Sequence, residues 1–168
     1  HTVALDAFWM DQTEVTNEMY LQCVAAGACS ELAEYYPEAN HPVSRADWRQ
    51  AEAYCAWAGR RLPTEAQWEY AARGGLAGAT YPWGEGIDCT RANYWSDNTC
   101  AGGRGEVGSY PANDYGLYDM AGSASEWVAD WYDERYYNSS PAENPTGPAS
   151  GSSRVFRGGS YIDHAEHL

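Results

Sequence analysis

The sequence predicts a single α+β domain with much irregular backbone, and three observations support that prediction. Residues with capping side chains precede amphipathic segments in the first half of the chain, and runs rich in aromatic and β-branched residues lie near both ends. Between them, a Gly-, Asn- and Asp-rich stretch shows no sustained period. The composition does not shift along the chain and no repeat is visible, so we expect one domain over residues 1–168.

The N-terminal segment predicts a strand followed by a helix. Residues 1–11 alternate in part between apolar and polar side chains, which indicates a strand. Thr16 has the side chain of an N-cap, and the apolar residues after it recur at helical spacing as far as Gly27. We therefore expect the first helix to begin after Thr16 and to end near Gly27.

Two further helices are predicted with their caps. The second spans residues 44–58, with Ser44 as its N-cap and Gly59 as the left-handed residue that ends it. The third follows Thr64, because Thr64 and Gln67 have the spacing of a capping box.

The second half of the chain predicts less regular structure. Residues 76–125 form a long irregular segment, which in a compact domain needs disulfides, ions or a function to organise it. Residues 126–132 and 154–161 each predict a strand. The Asn-, Ser-, Pro- and Gly-rich residues 138–153 between them predict a surface excursion.

Five cysteines suggest disulfides rather than a zinc site. Cys23 and Cys29 bracket one short loop, and Cys89 and Cys100 bracket another, but neither pair has the C-x-x-C spacing of zinc ligands. We favour two loop-closing disulfides in an oxidising compartment over reduced cytosolic thiols. Cys55 falls on the apolar face of the second helix, so we expect a buried, inert thiol.

The charge of the chain excludes some classes of partner. A formal net charge of −14 and a pI near 4.4 argue against binding to nucleic acid or to an anionic membrane surface. The acidity fits cation binding, or simply solubility in an extracellular or salty medium. No apolar run reaches the roughly 18 residues of a spanning helix, so we expect no membrane insertion. The chain begins at His1, so we expect a mature or partial product, and the lack of a visible signal peptide carries no information on export.

Eight blocks of sequence, which together cover nearly the whole chain, carry a family resemblance. They are residues 8–17, 41–43, 53–74, 81–84, 107–111, 115–122, 126–127 and 154–161. The run Leu-Pro-Thr-Glu-Ala-Gln-Trp-Glu over 62–69 is highly specific. In order and spacing these blocks resemble the formylglycine-generating enzyme (sulfatase-modifying factor) family. The resemblance implies a variant C-type-lectin-like fold with helices around small twisted sheets. It also implies that the chain is clipped at both ends, before His1 and after Leu168.

The same resemblance argues against the family's oxidative chemistry. In that family the stretch matching residues 158–168 carries two cysteines that bind copper and oxidise a substrate cysteine. Here the matching positions are Asp163 and Leu168. Because Cu(I) prefers a pair of thiolates, which an acid and an aliphatic side chain cannot supply, copper is not expected.

Calcium is the cofactor that the resemblance implies. Its carried-over ligands are Asp119, the carbonyls of Gly122 and Ala124, and Glu126. The chemistry agrees, since two carboxylates seven residues apart flank a turn whose carbonyl oxygens can converge on a hard cation. A turn with solvated acids is the alternative. Ser123 stands where the family usually has Asn.

A second calcium site of the family would use Asn93, the carbonyl of Tyr94 and a downstream acid or carbonyl. The loop through Cys100 departs from the family in length and contains no acid before Glu106.

Three functions remain open. We favour a non-oxidising binding or structural module, displayed extracellularly, in the periplasm or on the cell surface, that takes a protein or glycan ligand. The alternatives are a divergent metal-dependent oxidase and a subunit of an extracellular assembly. Under the favoured hypothesis a recognition surface begins after Tyr161, where a solvated polar loop is a better interpretation of the two histidines than a metal cluster. Its residues are Ile162, Asp163, His164, Glu166 and His167.

Overall fold

The computed structural model describes residues 2–34, 36–96, 100 and 103–168. In that part of the chain, three helices precede a two-stranded antiparallel sheet. The helices are α1 (Asn17–Ala25), α2 (Trp48–Trp57) and α3 (Glu65–Ala72), and the strands are β1 (Glu126–Trp131) and β2 (Arg154–Arg157). Single 3-10 turns cover Tyr136–Asn138 and Ala165–His167. The mixture confirms the predicted α+β class. None of the described helices has the length and apolarity needed to span a bilayer.

The predicted caps of the first and third helices are confirmed. The Thr16 hydroxyl accepts a hydrogen bond from the backbone N–H of Met19 at 3.2 Å. At α3, Thr64 accepts from the N–H of Gln67 at 3.2 Å, and the Gln67 side chain accepts from the N–H of Thr64 at 3.1 Å. This reciprocal pair satisfies two donors that would otherwise have no partner at the helix start.

The predicted start of the second helix is wrong by three residues. The N-cap is Asp47, not Ser44. Asp47 accepts from the N–H of Gln50 at 2.9 Å, and the Gln50 side chain accepts from the N–H of Asp47 at 2.9 Å. Among the described residues the buried Ser44 hydroxyl has no hydrogen-bond partner. The box at Asp47 therefore satisfies two backbone donors where a serine cap would satisfy one.

The predicted N-terminal strand is also wrong, within the described residues that follow His1. Ala4 alone forms a β-bridge, to Glu143, with its N–H bonded to the Ala142 carbonyl at 2.8 Å. Alternating side chains indicate an extended segment, but a strand also needs a continuous backbone partner, which the excursion over 138–153 does not supply.

The two strands pair in antiparallel orientation. Glu126 pairs with Arg157, and an irregularity in register follows Trp127. β2 ends four residues earlier than predicted, because Gly158 and Gly159 adopt φ values of +88° and +67° that turn the chain out of the extended conformation.

Two groups of buried side chains form the core. One packs α3 against the sheet and contains Trp68, Ala71, Ala72, Leu117, Met120, Val128 and Val155. The other surrounds the Cys23–Cys29 disulfide and contains Tyr20 and Tyr54. Between α3 and β1 the described residues form only isolated bridges, which confirms the irregular segment.

The two predicted disulfides are confirmed, whereas Cys55 is less buried than predicted. Cys23 is bonded to Cys29, and Cys89 is bonded to Cys100. Cys55 is free and half-buried, and burial raises the pKa of its thiol. A thiol that stays protonated is a poor nucleophile and a poor metal ligand, which is consistent with an inert Cys55.

Candidate functional site

The segment 119–126 curls into a turn through three residues with positive φ. Asp119, Gly122 and Ser123 have φ values of 53°, 82° and 60°. The N–H of Gly122 donates to the Gly158 carbonyl at 2.7 Å, and the N–H of Ser123 donates to the Asn93 carbonyl at 2.8 Å. The turn is thus held between two distant segments, and it lies against Asn93, which the sequence assigned to a separate site.

Both carboxylates predicted to bind calcium lie in this turn and keep free acceptor capacity. One Asp119 oxygen accepts from the N–H of Gly108 at 2.5 Å, and one Glu126 oxygen accepts from the Trp68 indole at 3.2 Å. Burial raises the pKa of Asp119, and it raises the pKa of Glu126 to about 7.

A third carboxyl group, Glu14, joins them. Its side chain is 8% exposed, and neither carboxyl oxygen has a hydrogen-bond partner among the described residues. Burial, and then the nearby charges of Glu126 and Asp119, raise the pKa of Glu14 to about 9. None of the described salt bridges involves these three acids. Local pattern missed Glu14, because an acid two residues before an N-cap resembles an ordinary surface residue.

The potential ligand atoms of the turn are of the type that calcium prefers. Among the described residues, no group of three His, Cys, Asp or Glu side chains could hold a metal ion by itself. The carbonyl oxygens of Gly122 and Ala124 would therefore have to serve as further calcium ligands. All of these donors are oxygen, as a hard cation prefers. Because burial raises the pKa of Glu14, its carboxyl group is protonated without an ion, and a cation bound beside it would favour the ionised form.

The second predicted calcium site is only partly visible. The Asn93 amide donates to the Gly103 carbonyl at 3.2 Å, while its buried oxygen has no partner in the described part of the chain. Tyr94 is buried beside it. The loop that would supply the remaining donor includes residues 97–99 and 101–102, which lie outside the described residues.

The two positions that carry copper-binding cysteines in the family have other roles here. One Asp163 oxygen accepts from the Ser160 N–H at 2.9 Å and from the Ser160 hydroxyl at 2.6 Å. Leu168 packs on Gly159, where an added Cβ would lie 2.5 Å from a Leu168 methyl group. Both side chains stabilise the chain around the Gly-Gly-Ser turn.

Most of the predicted recognition surface is accessible. Ile162, His164, Glu166 and His167 are exposed, whereas Asp163 turns inward to Ser160. The surface is wider than the sequence indicated. Trp95 forms a β-bridge with His164 and remains exposed, and the Tyr81 hydroxyl donates to the Ala165 carbonyl at 3.1 Å.

A cleft of about 990 Å³ opens beside the acidic turn. Its walls come from residues 7–15, 42–46, 59–63, 123–127 and 160–162. Glu14 and Glu126 line it, and so do three exposed apolar side chains, Trp9, Phe156 and Ile162. Because these segments are far apart along the chain, no sequence pattern indicated the cleft.

We expect the calcium-free protein to lose stability as the pH rises from about 4.5 to about 9. In this window Glu14 is protonated when folded and ionised when unfolded, so folding takes up a proton and becomes less favourable at higher pH. Glu14→Gln should flatten this part of the profile. Urea unfolding in EGTA at about pH 5, 7 and 9 measures it. Glu52→Gln, at an exposed position on α2, is the control. Equal pH slopes for wild type and Glu14→Gln would contradict the assignment.

This chain is similar to a family profile, a kinase and a formylglycine-generating enzyme. The profile of the sulfatase-modifying factor enzyme 1-like domain family matches residues 1–168. Serine/threonine-protein kinase pkn1 of Chlamydia pneumoniae is 42% identical in an alignment 188 residues long that covers 96% of this chain and 29% of the kinase. The formylglycine-generating enzyme of Streptomyces coelicolor is 48% identical in an alignment 136 residues long that covers 74% of this chain and 43% of the enzyme.

Two other matches extend the comparison. The inactive C-alpha-formylglycine-generating enzyme 2 of Mus musculus is 42% identical in an alignment 134 residues long that covers 74% of this chain and 39% of that protein. The chain therefore spans less than half the length of these curated relatives. Among solved structures, Treponema denticola variable protein 1 superposes with a TM-score of 0.82 and 28% identity, covering 99% of this chain and 78% of that one.

Proposed function

We propose that this chain, which belongs to the sulfatase-modifying factor enzyme 1-like domain family, is a non-oxidising binding domain. In this proposal calcium stabilises the domain, a protein ligand occupies its cleft, and it works outside the cytoplasm. The observation that carries the proposal is the presence of Asp163 and Leu168 at the two thiol positions of the family.

The remaining cysteines support the absence of copper oxidation. Four of the five are in disulfides, and Cys55 is a single half-buried thiol. Thiolate pairs are the ligands that Cu(I) prefers, and this chain has no second free thiol to pair with Cys55. Asp163 is already engaged by two hydrogen bonds from Ser160. One relative, from Mus musculus, is named an inactive formylglycine-generating enzyme, so the family includes a protein described as inactive.

The acidic turn supports the role of calcium. Asp119 and Glu126, with the carbonyls of Gly122 and Ala124, would hold the ion. The bound ion would supply the positive charge that Glu14, Asp119 and Glu126 otherwise lack. Its effect would be structural, because the turn connects the Asn93 segment to the Gly158 segment through backbone hydrogen bonds.

The cleft supports a protein ligand over a glycan. Trp9 is fully exposed and, with Phe156 and Ile162, presents apolar surface around the opening. Exposed aromatic and aliphatic side chains around a concave site are typical of protein-binding surfaces. The two disulfides favour an oxidising compartment outside the cytoplasm. In pkn1 the matching segment is a minority of a longer protein, as expected for a module attached to other functions.

A copper and oxidation assay tests the proposal. The full-length protein is incubated with Cu(I), oxygen and a cysteine-containing peptide, and formylglycine is sought by mass spectrometry. We expect no aldehyde and no stoichiometric copper. The enzyme of Streptomyces coelicolor is the positive control, and the double variant Asp163→Cys with Leu168→Cys asks whether restored thiols recover Cu(I) binding. Aldehyde formation by the wild-type protein would refute the proposal.

A further inference from the structure

A second, smaller pocket lies at the opposite end of β1 from the cleft. β1 begins at Glu126 in the cleft wall and ends at Trp131, where a pocket of about 110 Å³ opens. Four aromatic side chains and Val155 form its walls. The aromatic residues are Trp131, Tyr132, Tyr136 and Tyr137. A concave site with this density of rings is distinct from the cleft described above.

The rings are held by their surroundings. The Arg154 guanidinium lies 3.6 Å from the ring centre of Trp131 and 3.6 Å from that of Trp48, and it donates to the Ala129 carbonyl at 2.5 Å. This fixes one face of Trp131. Tyr136 and Tyr137 sit in the 3-10 turn, with ring centres 6.4 Å apart and planes at 62°. The pocket walls are therefore largely pre-formed, which lowers the ordering cost of binding.

Two of these rings remain in contact with solvent. Tyr132 is 59% exposed and Tyr137 is 52% exposed. The Tyr137 phenol is neutral at physiological pH even at its ordinary pKa of about 10, and burial and the nearby Glu65 carboxyl group raise that pKa further. A neutral aromatic ring presents a negative π-face to a cation.

The pocket is also negatively charged. Three carboxyl groups line it, from Glu65, Asp133 and Glu134, and no basic side chain of the described residues does. Glu65 is paired with Arg157 at 2.8 Å, whereas Asp133 and Glu134 form no salt bridge within the described residues. Arg154 also lies against Trp131, so three carboxyl groups face two guanidinium groups around the pocket and leave an excess of one negative charge beside the aromatic walls.

We propose that this pocket binds a quaternary ammonium cation, the head group shared by choline and trimethylated lysine. Such a cation has no N–H group, so it needs no hydrogen-bond acceptor, and the rings and carboxyl groups attract it through cation–π and longer-range electrostatic interactions. A primary ammonium is more strongly hydrated than a quaternary one, so its transfer from water onto aromatic walls costs more. The volume of about 110 Å³ admits a compact head group but not a drug-sized molecule, whose sites are roughly 300–1,000 Å³.

The test compares two ligands of the same shape. Choline and its neutral isostere 3,3-dimethylbutan-1-ol are titrated into the full-length protein by NMR. We expect choline to bind with saturable shifts at residues 131–137, and the isostere to bind about tenfold more weakly. A trimethyllysine peptide and its unmodified counterpart form a second pair. If the trimethyllysine peptide binds more tightly than choline, the natural ligand is a trimethylated protein. If choline binds more tightly, the natural ligand is a choline-containing molecule.

Variants at Tyr137 separate the ring from the bulk of the side chain. Tyr137→Leu removes the π-face and should weaken choline binding about five- to tenfold, whereas Tyr137→Phe keeps the ring and should stay within about twofold. Tyr132→Leu provides a second variant should Tyr137→Leu unfold, as judged by near-UV circular dichroism. The proposal is overturned by no saturable choline binding up to about 10 mM, by equal affinity for the isostere, or by unchanged affinity in a folded leucine variant.

Discussion

Gly122→Ala is expected to destabilise the protein by about 3 kcal/mol or more. Gly122 has a φ of +82°, and a Cβ at this position would lie 2.9 Å from the carbonyl carbon of Asn93 and closer still to its oxygen. Backbone atoms cannot rotate away as a side chain can. Relief would therefore require the turn to move, which would break the Ser123 to Asn93 hydrogen bond. Chemical denaturation measures the free energy of unfolding.

Gly27→Ala is the matched control for this prediction. Gly27 also has a positive φ, of +72°, but apart from its chain neighbours no atom of the described residues lies within 4 Å of an added Cβ. This variant carries only the conformational cost of a left-handed alanine, about 1–2 kcal/mol. If the two variants lose equal stability, the close approach of Gly122 to Asn93 has no energetic role.

Removal of calcium is expected to lower stability by a similar amount. A ligand that binds only the folded state at about a hundred times its Kd stabilises it by about 2.7 kcal/mol. Without the ion, the charges of Glu126 and Asp119 act on the buried Glu14 carboxyl group, and none of the three acids forms a salt bridge among the described residues. Thermal unfolding in excess calcium and in excess EGTA measures the difference, and the melting temperature should fall in EGTA.

Glu126→Gln should change stability in opposite directions with and without calcium. The amide oxygen can still accept from the Trp68 indole, so the packing is preserved. In EGTA the variant should be more stable than the wild type, because one buried carboxyl group is gone. In calcium it should be less stable, because a ligand is gone. Asp130→Asn is the control, since Asp130 is a buried acid that accepts from the Glu65 N–H outside the turn. A full calcium response in Glu126→Gln would contradict the site.

The part of the fold governed by neighbouring residues was predictable from sequence. Thr64 and Gln67 satisfy each other's backbone donors within one turn, so the start of α3 follows from two residue types at one spacing. The error at α2 has the same origin. Ser44 and Asp47 both carry capping side chains, and only Asp47 has a glutamine three residues later to complete the box.

The functional chemistry divides in the same way. The substitution of Asp163 and Leu168 is visible in the chain alone, because residue type decides whether a thiolate is available for copper. Tertiary structure alone brings Glu14 near Asp119 and Glu126. It also forms the cleft and the aromatic pocket at Trp131. Each joins segments from separate parts of the chain, and local periodicity carries no information about which segments meet. Burial and electrostatic interaction depend on those meetings, so only the folded chain determines the charge state of Glu14.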